Sequence, residues 1–254
     1  MADRPPFNWP NGKRAALSIS FDDARPSQLD NGIEILDQYG LAGTFYVLPD
    51  MVRSRLAGWE KVVAAGHEIG NHTVTHPCSG NYTFSRSNAL EHYTLERLER
   101  DELLAANDAI EELLATKPRT FAYPCAQRFV GVGEQTQSYV PLVARHFIVG
   151  RGGFDEVPND PTICDLAQIT SLDIDGAGPE RLRSLVQWAL DEGRWLVLAG
   201  HDVGDSTPQS VPPSSLEALC RYARELQVEL WVDTVVAVGW FLAEQRDQGR
   251  SKCW

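Results

Sequence analysis

Residues 15–23 read AALSISFDD, an apolar run that ends in two adjacent carboxylates, Asp22 and Asp23. Similar short apolar runs recur along the chain, each bounded by Gly, Pro, Asp or Asn, which is typical of β-strands. We predict eight strands: Ala15–Phe21, Gly43–Leu48, His67–Asn71, Thr120–Tyr123, His146–Gly150, Ile169–Ile174, Trp195–Ala199 and Glu229–Thr234.

Helical patterns lie between these strands. Pro179, the apolar spacing that follows it and Gly193 predict a helix over residues 179–193, and a longer helix is predicted over residues 91–117. Strands that alternate with helices in a chain of this length are typical of a parallel barrel or a doubly wound sheet. Polar residues directly follow most of the strands, which favours the barrel. We therefore predict an α/β fold, a distorted (β/α) barrel of seven or eight parallel strands.

The composition is that of one globular domain. Of the 254 residues, 43% are hydrophobic and 23% are charged, which excludes a disordered or fibrous chain. We find no linker or internal repeat and predict a single domain over residues 1–254, with residues 1–14 as an N-terminal extension. The net charge of −12 disfavours a nucleic acid partner. No run reaches the roughly 18 apolar residues of a membrane span, and the oligomeric state stays open.

The cysteines and the N-terminus bear on the compartment. Residues 1–6 lack the apolar core of a signal peptide, so we expect a cytoplasmic protein or a mature form without its export signal. Five cysteines, an odd number, do not form the pattern of a disulfide framework. Cys78 and Cys125 follow two predicted strands and are either free thiols or a disulfide between two loops. We expect free thiols.

Two groups of polar residues after predicted strands suggest a metal site. One of Asp22 and Asp23 can bind a metal while the other stays free as a base, although a solvated turn also explains such a pair. Residues 72–76 read HTVTH, and histidines four apart face the same way if this segment forms a helical turn. Asp23, His72 and His76 then form a set of two histidines and one carboxylate, which leaves metal positions open for water and substrate.

A third group lies near the end of the chain. His201 follows an apolar strand, and Asp173 and Asp175 end the strand before it. Either carboxylate can orient His201 through a hydrogen bond to one ring nitrogen. A single histidine is more often structural, but this one lies at the predicted rim of the barrel, where polar residues follow the strands.

Together, in this order and at strand ends, these residues resemble the polysaccharide deacetylase family (carbohydrate esterase family 4, with the NodB-homology domain) over nearly the whole chain. Residues 20–23, SFDD, look like the first motif of that family. Residues 67–76, HEIGNHTVTH, are similar to the second motif and are the most specific match. Residues 121–125, FAYPC, fall at the third motif, residues 198–201 resemble the fifth, and residues 173–175 resemble the fourth only loosely.

The resemblance implies a metal-dependent hydrolase that removes N-acetyl or O-acetyl groups from a polysaccharide, an oligosaccharide or an amino sugar. Zinc is the default metal for such ligands, and cobalt or nickel fits the same set. The implied roles are Asp22 as the base, His201 as the acid with Asp173 or Asp175 beside it, Asp23, His72 and His76 as metal ligands, and Tyr123, Pro124 and Cys125 as substrate and oxyanion contacts.

The chain departs from the family's third motif in two places. Ala122 stands where the family usually has an arginine that steadies the base, and Cys125 stands where an aromatic residue is usual. We expect Arg128 or Arg151 to supply the missing charge beside Asp22.

Two other functions stay open. A hydrolase of a small non-sugar amide or ureide on the same fold is favoured slightly by the missing signal peptide and by residues 9–12, WPNG. A glycan-binding module without turnover has the altered third motif as its support.

Overall fold

The computed structural model describes residues 7–251 and the side chains of residues 7–246. Its core is a parallel sheet. Every predicted strand contributes to this sheet, and each pairs in parallel with its neighbours. The strands are β1 (Ala15–Asp22), β2 (Thr44–Val47), β3 (Glu68–Asn71), β4 (Thr120–Ala122), β5 (Val149–Arg151), β6 (Leu172–Asp173), β7 (Trp195–Gly200) and β8 (Leu230–Val232).

The order of the strands is β5-β4-β3-β2-β1-β7-β6, and β8 pairs with the first residues of β1. Strand β1 is buried along its whole length because β7 covers one edge while β8 and then β2 cover the other. A parallel bridge between Arg151 and Ile169, which lies just before β6, joins the two edges of the sheet. The Gly152 N–H donates to the Ile169 carbonyl and the Ile169 N–H to the Gly150 carbonyl, both at 2.8 Å. The predicted distorted (β/α) barrel is thus confirmed.

Helices surround this sheet in a single domain, and their apolar faces pack on it. Helix α7 follows the predicted pattern, and Gly193 ends it in the left-handed conformation that glycine adopts readily. No helix within residues 7–251 is both long enough and apolar enough to cross a bilayer. The α-helices are α1 (Ile33–Gln38), α2 (Pro49–Ser54), α3 (Leu56–Ala64), α4 (Leu95–Leu98), α5 (Ala105–Leu114), α6 (Val140–His146), α7 (Pro179–Glu192), α8 (Pro213–Glu225) and α9 (Val235–Ser251).

The long helix predicted over residues 91–117 is wrong as one element. A 3₁₀ turn at Leu90–His92 comes first, α4 begins after the Thr94 cap, and a π-helical segment at Glu99–Leu104 separates α4 from α5. The wider turn of a π-helix shifts side chains around the axis. Here it carries Glu102, which is buried against the loop that follows β3.

Six of the eight predicted strands are shorter than expected, above all the two predicted from His146 and from Ile169. The strand predicted from His146 begins only at Val149, because α6 continues to His146, and β6 contains only Leu172–Asp173. Residues 7–14 of the predicted N-terminal extension pack on the barrel: Trp9 is buried and its ring N–H donates to the Gly193 carbonyl.

Short ribbons add to the carboxyl-terminal end of the barrel. Phe129–Val130 pairs with Gln137–Ser138, and Asp202–Val203 pairs with Ser210–Val211. Because all barrel strands are parallel, the loops that follow them meet at this one end. The predicted polar residues lie in these loops.

Candidate active site

The carboxyl ends of the barrel strands open onto a cavity of about 280 Å³. Most of the predicted site residues face it, whereas Pro124, Asp175 and Arg128 lie outside its lining. The predicted residues in the lining are Asp22, Asp23, His72, His76, Tyr123, Cys125, Arg151, Asp173 and His201.

Asp23, His72 and His76 lie together in this cavity. Asp23 Oδ1 is 3.5 Å from His72 Nε2 and 3.5 Å from His76 Nε2, and the two imidazole rings are 4.7 Å apart between centroids. The potential ligand atoms of the three residues lie within 4.8 Å of one another. Two imidazoles and one carboxylate are a donor set that suits a divalent transition metal and leaves coordination positions free.

The segment from His72 to His76 is a loop, so the two imidazoles do not meet through the helical turn that their spacing would allow. Thr73 and His76 adopt left-handed φ values of 69° and 54°, which fold the chain back on itself. The buried Glu102 holds this loop, since its carboxylate accepts hydrogen bonds from the Val74 and Thr75 N–H groups at 3.0 and 2.9 Å and from the Thr75 hydroxyl. The loop brings the two imidazoles together by a geometry that spacing does not reveal.

The imidazoles are set to offer lone pairs to a metal. His72 Nδ1 lies 2.9 Å from the Ala122 carbonyl. Because a carbonyl only accepts hydrogen bonds, Nδ1 carries the proton and Nε2 presents its lone pair towards Asp23. Burial lowers the pKa of His76 to about 4 despite the opposing effect of Asp23, so the His76 ring is neutral at pH 7.

Asp22 forms an ion pair with Arg151 that is buried inside the barrel. Arg151 Nη2 contacts both carboxylate oxygens of Asp22, and the two side chains are only 3% and 10% exposed. Burial alone would raise the pKa of Asp22, but the charge of Arg151, the largest of the opposing causes, brings it below its ordinary value. Asp22 is therefore ionised at neutral pH.

Arg151 also explains the alanine at position 122. In the register of β4 and β5, Ala122 is paired with Arg151, and paired positions on neighbouring strands face the same side of a sheet. The guanidinium that reaches Asp22 therefore comes from the adjacent strand. Arg128, the other predicted source, instead lies 5.7 Å from the centre of the Tyr123 ring.

Asp175 is the carboxylate that contacts His201. Its Oδ2 is 2.6 Å from His201 Nδ1, and its Oδ1 accepts the His201 backbone N–H at 3.1 Å. Asp173 instead accepts the Asp175 backbone N–H. Burial lowers the pKa of His201, but the hydrogen bond to Asp175 and the charge of Asp22 outweigh this and raise it above the ordinary value.

The predicted segment 123–125 contributes a turn rather than three side chains. The Tyr123 hydroxyl donates to the Ala167 carbonyl at 2.6 Å, and Pro124 is buried at the start of a 3₁₀ turn. Cys125 has a left-handed φ of 51°. Its backbone N–H has no acceptor within the described part of the chain, and Cys125 lines the cavity.

Cys78 and Cys125 form a disulfide, so the expectation of free thiols is wrong. The two loops approach because β3 and β4 are neighbours, which the sequence separation of 47 residues does not show. The sulfur of Cys78 is 3.6 Å from His76 Nδ1. The disulfide thus connects the loop that carries His76 to the turn that carries the Cys125 N–H.

Exposed aromatic residues surround the mouth of the cavity. Tyr82 and Phe84 follow the disulfide-linked loop and are 41% and 66% exposed, and Phe154 is 66% exposed. The Phe84 ring lies 6.1 Å from that of His76. Flat apolar rings at a polar cavity suit the faces of sugar rings.

Three residues that hold the site are absent from the predicted set. Glu102 lay inside a predicted helix and gave no signal. Arg25 lies two residues after Asp23, and Asp202 directly follows His201, so closeness to predicted site residues is the available signal for both. Arg25 donates two hydrogen bonds to Asp23 and one to Asp202.

The chain is similar to known proteins in both sequence and fold. Residues 10–138, just over half of the chain, match the family model described as polysaccharide deacetylase. The fold is similar to that of a solved putative polysaccharide deacetylase from Mycobacterium smegmatis, with a TM-score of 0.70, 15% identity and coverage of 97% of this chain and 96% of the other.

Two curated proteins are related in sequence over short segments. A peptidoglycan-N-acetylglucosamine deacetylase from Bacillus cereus is 33% identical over 73 residues, 28% of this chain and 34% of its own length. A chitooligosaccharide deacetylase from Bradyrhizobium is 33% identical over 63 residues, 24% of this chain and 29% of its own length. The chain therefore spans only about a third of the length of these relatives.

The disulfide should lower the mass of the intact protein and raise its free energy of unfolding. We expect the intact protein, purified without reductant, to be lighter by two hydrogens than the fully reduced chain, and a digest to contain the peptides of Cys78 and Cys125 joined. Replacement of both cysteines by serine should lower the free energy of unfolding by roughly 2–4 kcal/mol, because the link closes a long loop in the unfolded chain. Urea unfolding measures this change.

A matched control is the substitution of Cys220, which is buried but unpaired, by alanine. This change should leave the non-reducing mass deficit intact. A chain that shows no mass deficit in the absence of reductant would contradict the disulfide.

Proposed function

The chain belongs to the polysaccharide deacetylase family, and we propose that it hydrolyses acetyl groups, N-acetyl first and O-acetyl second, from an acetylated glycan or amino sugar. The observation that carries this proposal is the meeting of Asp23, His72 and His76 with Asp22 and His201 in one cavity. These residues come from the ends of β1, β3 and β7, far apart along the chain. Together they supply a set of metal ligands, a general base and a general acid, which amide hydrolysis requires.

We assign the metal site to Asp23, His72 and His76. A divalent metal held there supplies a Lewis acid for the acetyl carbonyl and lowers the pKa of bound water. Zinc fits this donor set best, and cobalt or nickel fits the same ligands. The nearby sulfurs of Cys78 and Cys125 are joined to each other, so they offer no thiolate to a second metal.

Asp22 is the proposed general base. Its Oδ2 lies 4.0 Å from His72 Nε2, which places the carboxylate beside the metal ligands without making it one of them. Arg151 keeps this carboxylate ionised at neutral pH, so that it can take a proton from the attacking water. The ion pair also fixes the direction in which the carboxylate faces.

His201 is the proposed general acid. The Asp175 carboxylate bonds to Nδ1 and leaves Nε2 as the atom that can give a proton to the departing amine. The same contact raises the pKa of His201, which keeps the ring protonated over a wider range of pH. An amine leaves poorly as an anion, so this proton is needed for the C–N bond to break.

The turn at residues 123–125 is the proposed oxyanion site. The free Cys125 N–H at the cavity can donate to the oxygen that develops negative charge in the tetrahedral intermediate. The left-handed backbone of Cys125 and its disulfide hold this donor in place. Such a donor contributes roughly 10²–10³ to the rate of acyl transfer.

We propose a glycan as the substrate class because exposed aromatic rings line the cavity and because two of the curated relatives are named for chitooligosaccharide and peptidoglycan. Tyr82, Phe84 and Phe154, which line the cavity, can stack on pyranose rings that lie outside it. The acetyl group would then enter the cavity itself.

Acetate release from a panel of acetylated sugars tests the proposal. We expect release from N-acetylated oligosaccharides, loss of activity with a chelator, and recovery on addition of zinc. Asp22→Asn should lower kcat by about 10²–10⁴-fold because it removes the base.

The same panel should include small cyclic amides and a binding measurement. Hydrolysis of the cyclic amides with no acetate release from sugars would favour a hydrolase of small non-sugar amides. Sugar binding without acetate release, whichever divalent metal is added, would favour a glycan-binding module. Either result would overturn the proposed deacetylase.

The contact between His201 and Asp175 predicts a change in the pH–rate profile. His201 must be protonated to act as the acid, so activity falls as the pH rises through its pKa. Asp175→Asn removes the negative charge that raises this pKa, and the alkaline limb of kcat/KM should move to lower pH. Asp173→Asn is the matched control and should move the alkaline limb less, because the Asp173 carboxylate interacts with His201 only through its charge and accepts its hydrogen bond from the Asp175 backbone N–H.

Substitution of the two candidate arginines should affect kcat very differently. Arg151→Met should lower kcat by about 100-fold or more because it leaves the buried base without its cation. Arg128→Met should leave kcat nearly unchanged, since Arg128 faces the Tyr123 ring instead of Asp22. Steady-state kinetics with one acetylated oligosaccharide compares the two variants, and equal losses would contradict the assignment.

A further inference from the structure

Arg25 holds the carboxylate of Asp23 from the side opposite the histidines. Its Nε and Nη2 donate to Asp23 Oδ2 at 3.1 and 2.9 Å. The other oxygen, Oδ1, is the one that faces His72 Nε2 and His76 Nε2. One oxygen of Asp23 is therefore occupied by the guanidinium, and the other is directed into the proposed metal site.

Arg25 is itself held by the loop that follows His201. Its Nη1 donates to Asp202 Oδ2 at 2.7 Å, and its Nη2 donates to Gln209 Oε1 at 2.9 Å. The Ser27 hydroxyl donates to the second oxygen of Asp202 at 2.6 Å. The guanidinium thus joins the end of β1 to the residues just after β7.

The backbone at this point needs such support. Asp23 and the next residue, Ala24, have φ values of 73° and 52°, a left-handed conformation that side chains other than glycine adopt infrequently. In this conformation the direction of the Asp23 side chain is not set by the regular geometry of the strand. The two-point contact with Arg25 fixes it instead, because a guanidinium holds a carboxylate in a defined plane.

We propose that Arg25 is a positioning residue that presets Asp23 for metal binding and couples the metal site to the loop of His201. This inference rests on the proposed function, because it takes Asp23 as a metal ligand. The positive charge of Arg25 also makes the Asp23 carboxylate less basic, which by itself would weaken metal binding. We expect the orientation of the carboxylate to outweigh this effect, because Arg25 is the only side-chain hydrogen-bond donor to Asp23 among residues 7–246.

The test is the zinc affinity of the apoprotein, measured by competition with a chromophoric chelator. Arg25→Gln should weaken zinc binding by about 10–100-fold, the usual cost of losing a group that orients a ligand. Arg25→Lys should recover only part of this loss, because an ammonium cannot hold the carboxylate at two points. The matched control is Arg55→Gln, which breaks the exposed ion pair with Asp30 and should keep the wild-type affinity.

Asp202→Asn provides a second variant that does not alter the arginine. It should weaken zinc binding less than Arg25→Gln does, and it keeps the test decisive should Arg25→Gln fail to fold. If Arg25→Gln folds and keeps the wild-type zinc affinity, the positioning role is overturned. If Arg25→Gln does not fold, wild-type zinc affinity in Asp202→Asn overturns it. Absence of zinc binding by the wild-type protein would instead overturn the proposed metal site, so the two failures are distinct.

Discussion

The buried ion pair between Asp22 and Arg151 is the constraint on which the site depends. Asp22 ends an inner strand of the sheet and Arg151 ends an edge strand, so the pair crosses the interior of the barrel. A carboxylate in that position without a cation would carry a large desolvation cost and would take up a proton. With the cation, it stays charged in a cavity that also collects three histidines. The ion pair therefore links the closure of the barrel to the chemistry at its mouth.

Each other group at the site is held by a contact from a different part of the chain. The Ala122 carbonyl sets the tautomer of His72, Glu102 holds the loop between the two imidazoles, and Asp175 orients His201. Most of these partners are buried, so water does not compete for them. This arrangement explains how a site built from loops keeps a fixed geometry without regular secondary structure.

Much of this molecule was readable from its sequence, and the failures have physical reasons. The strands were found because their apolar runs are short and bounded, and the polar residues after them follow from the parallel topology. The loop between His72 and His76 could not be predicted, because periodicity describes helices and strands but not left-handed loops. The choice between Arg128 and Arg151, and the pairing of Cys78 with Cys125, depend on which strands are neighbours, and strand order is absent from a linear pattern.

The pairing of Ala122 with Arg151 restricts the routes by which such a barrel can change over evolutionary time. A lineage in which the cation sits on β4 cannot lose it first and gain another on β5 later, because the intermediate would bury Asp22 unpaired. The permitted order adds the second arginine before the first disappears, with a temporary excess of charge in the barrel. Ancestral sequences that carry both arginines are the expected trace of that order.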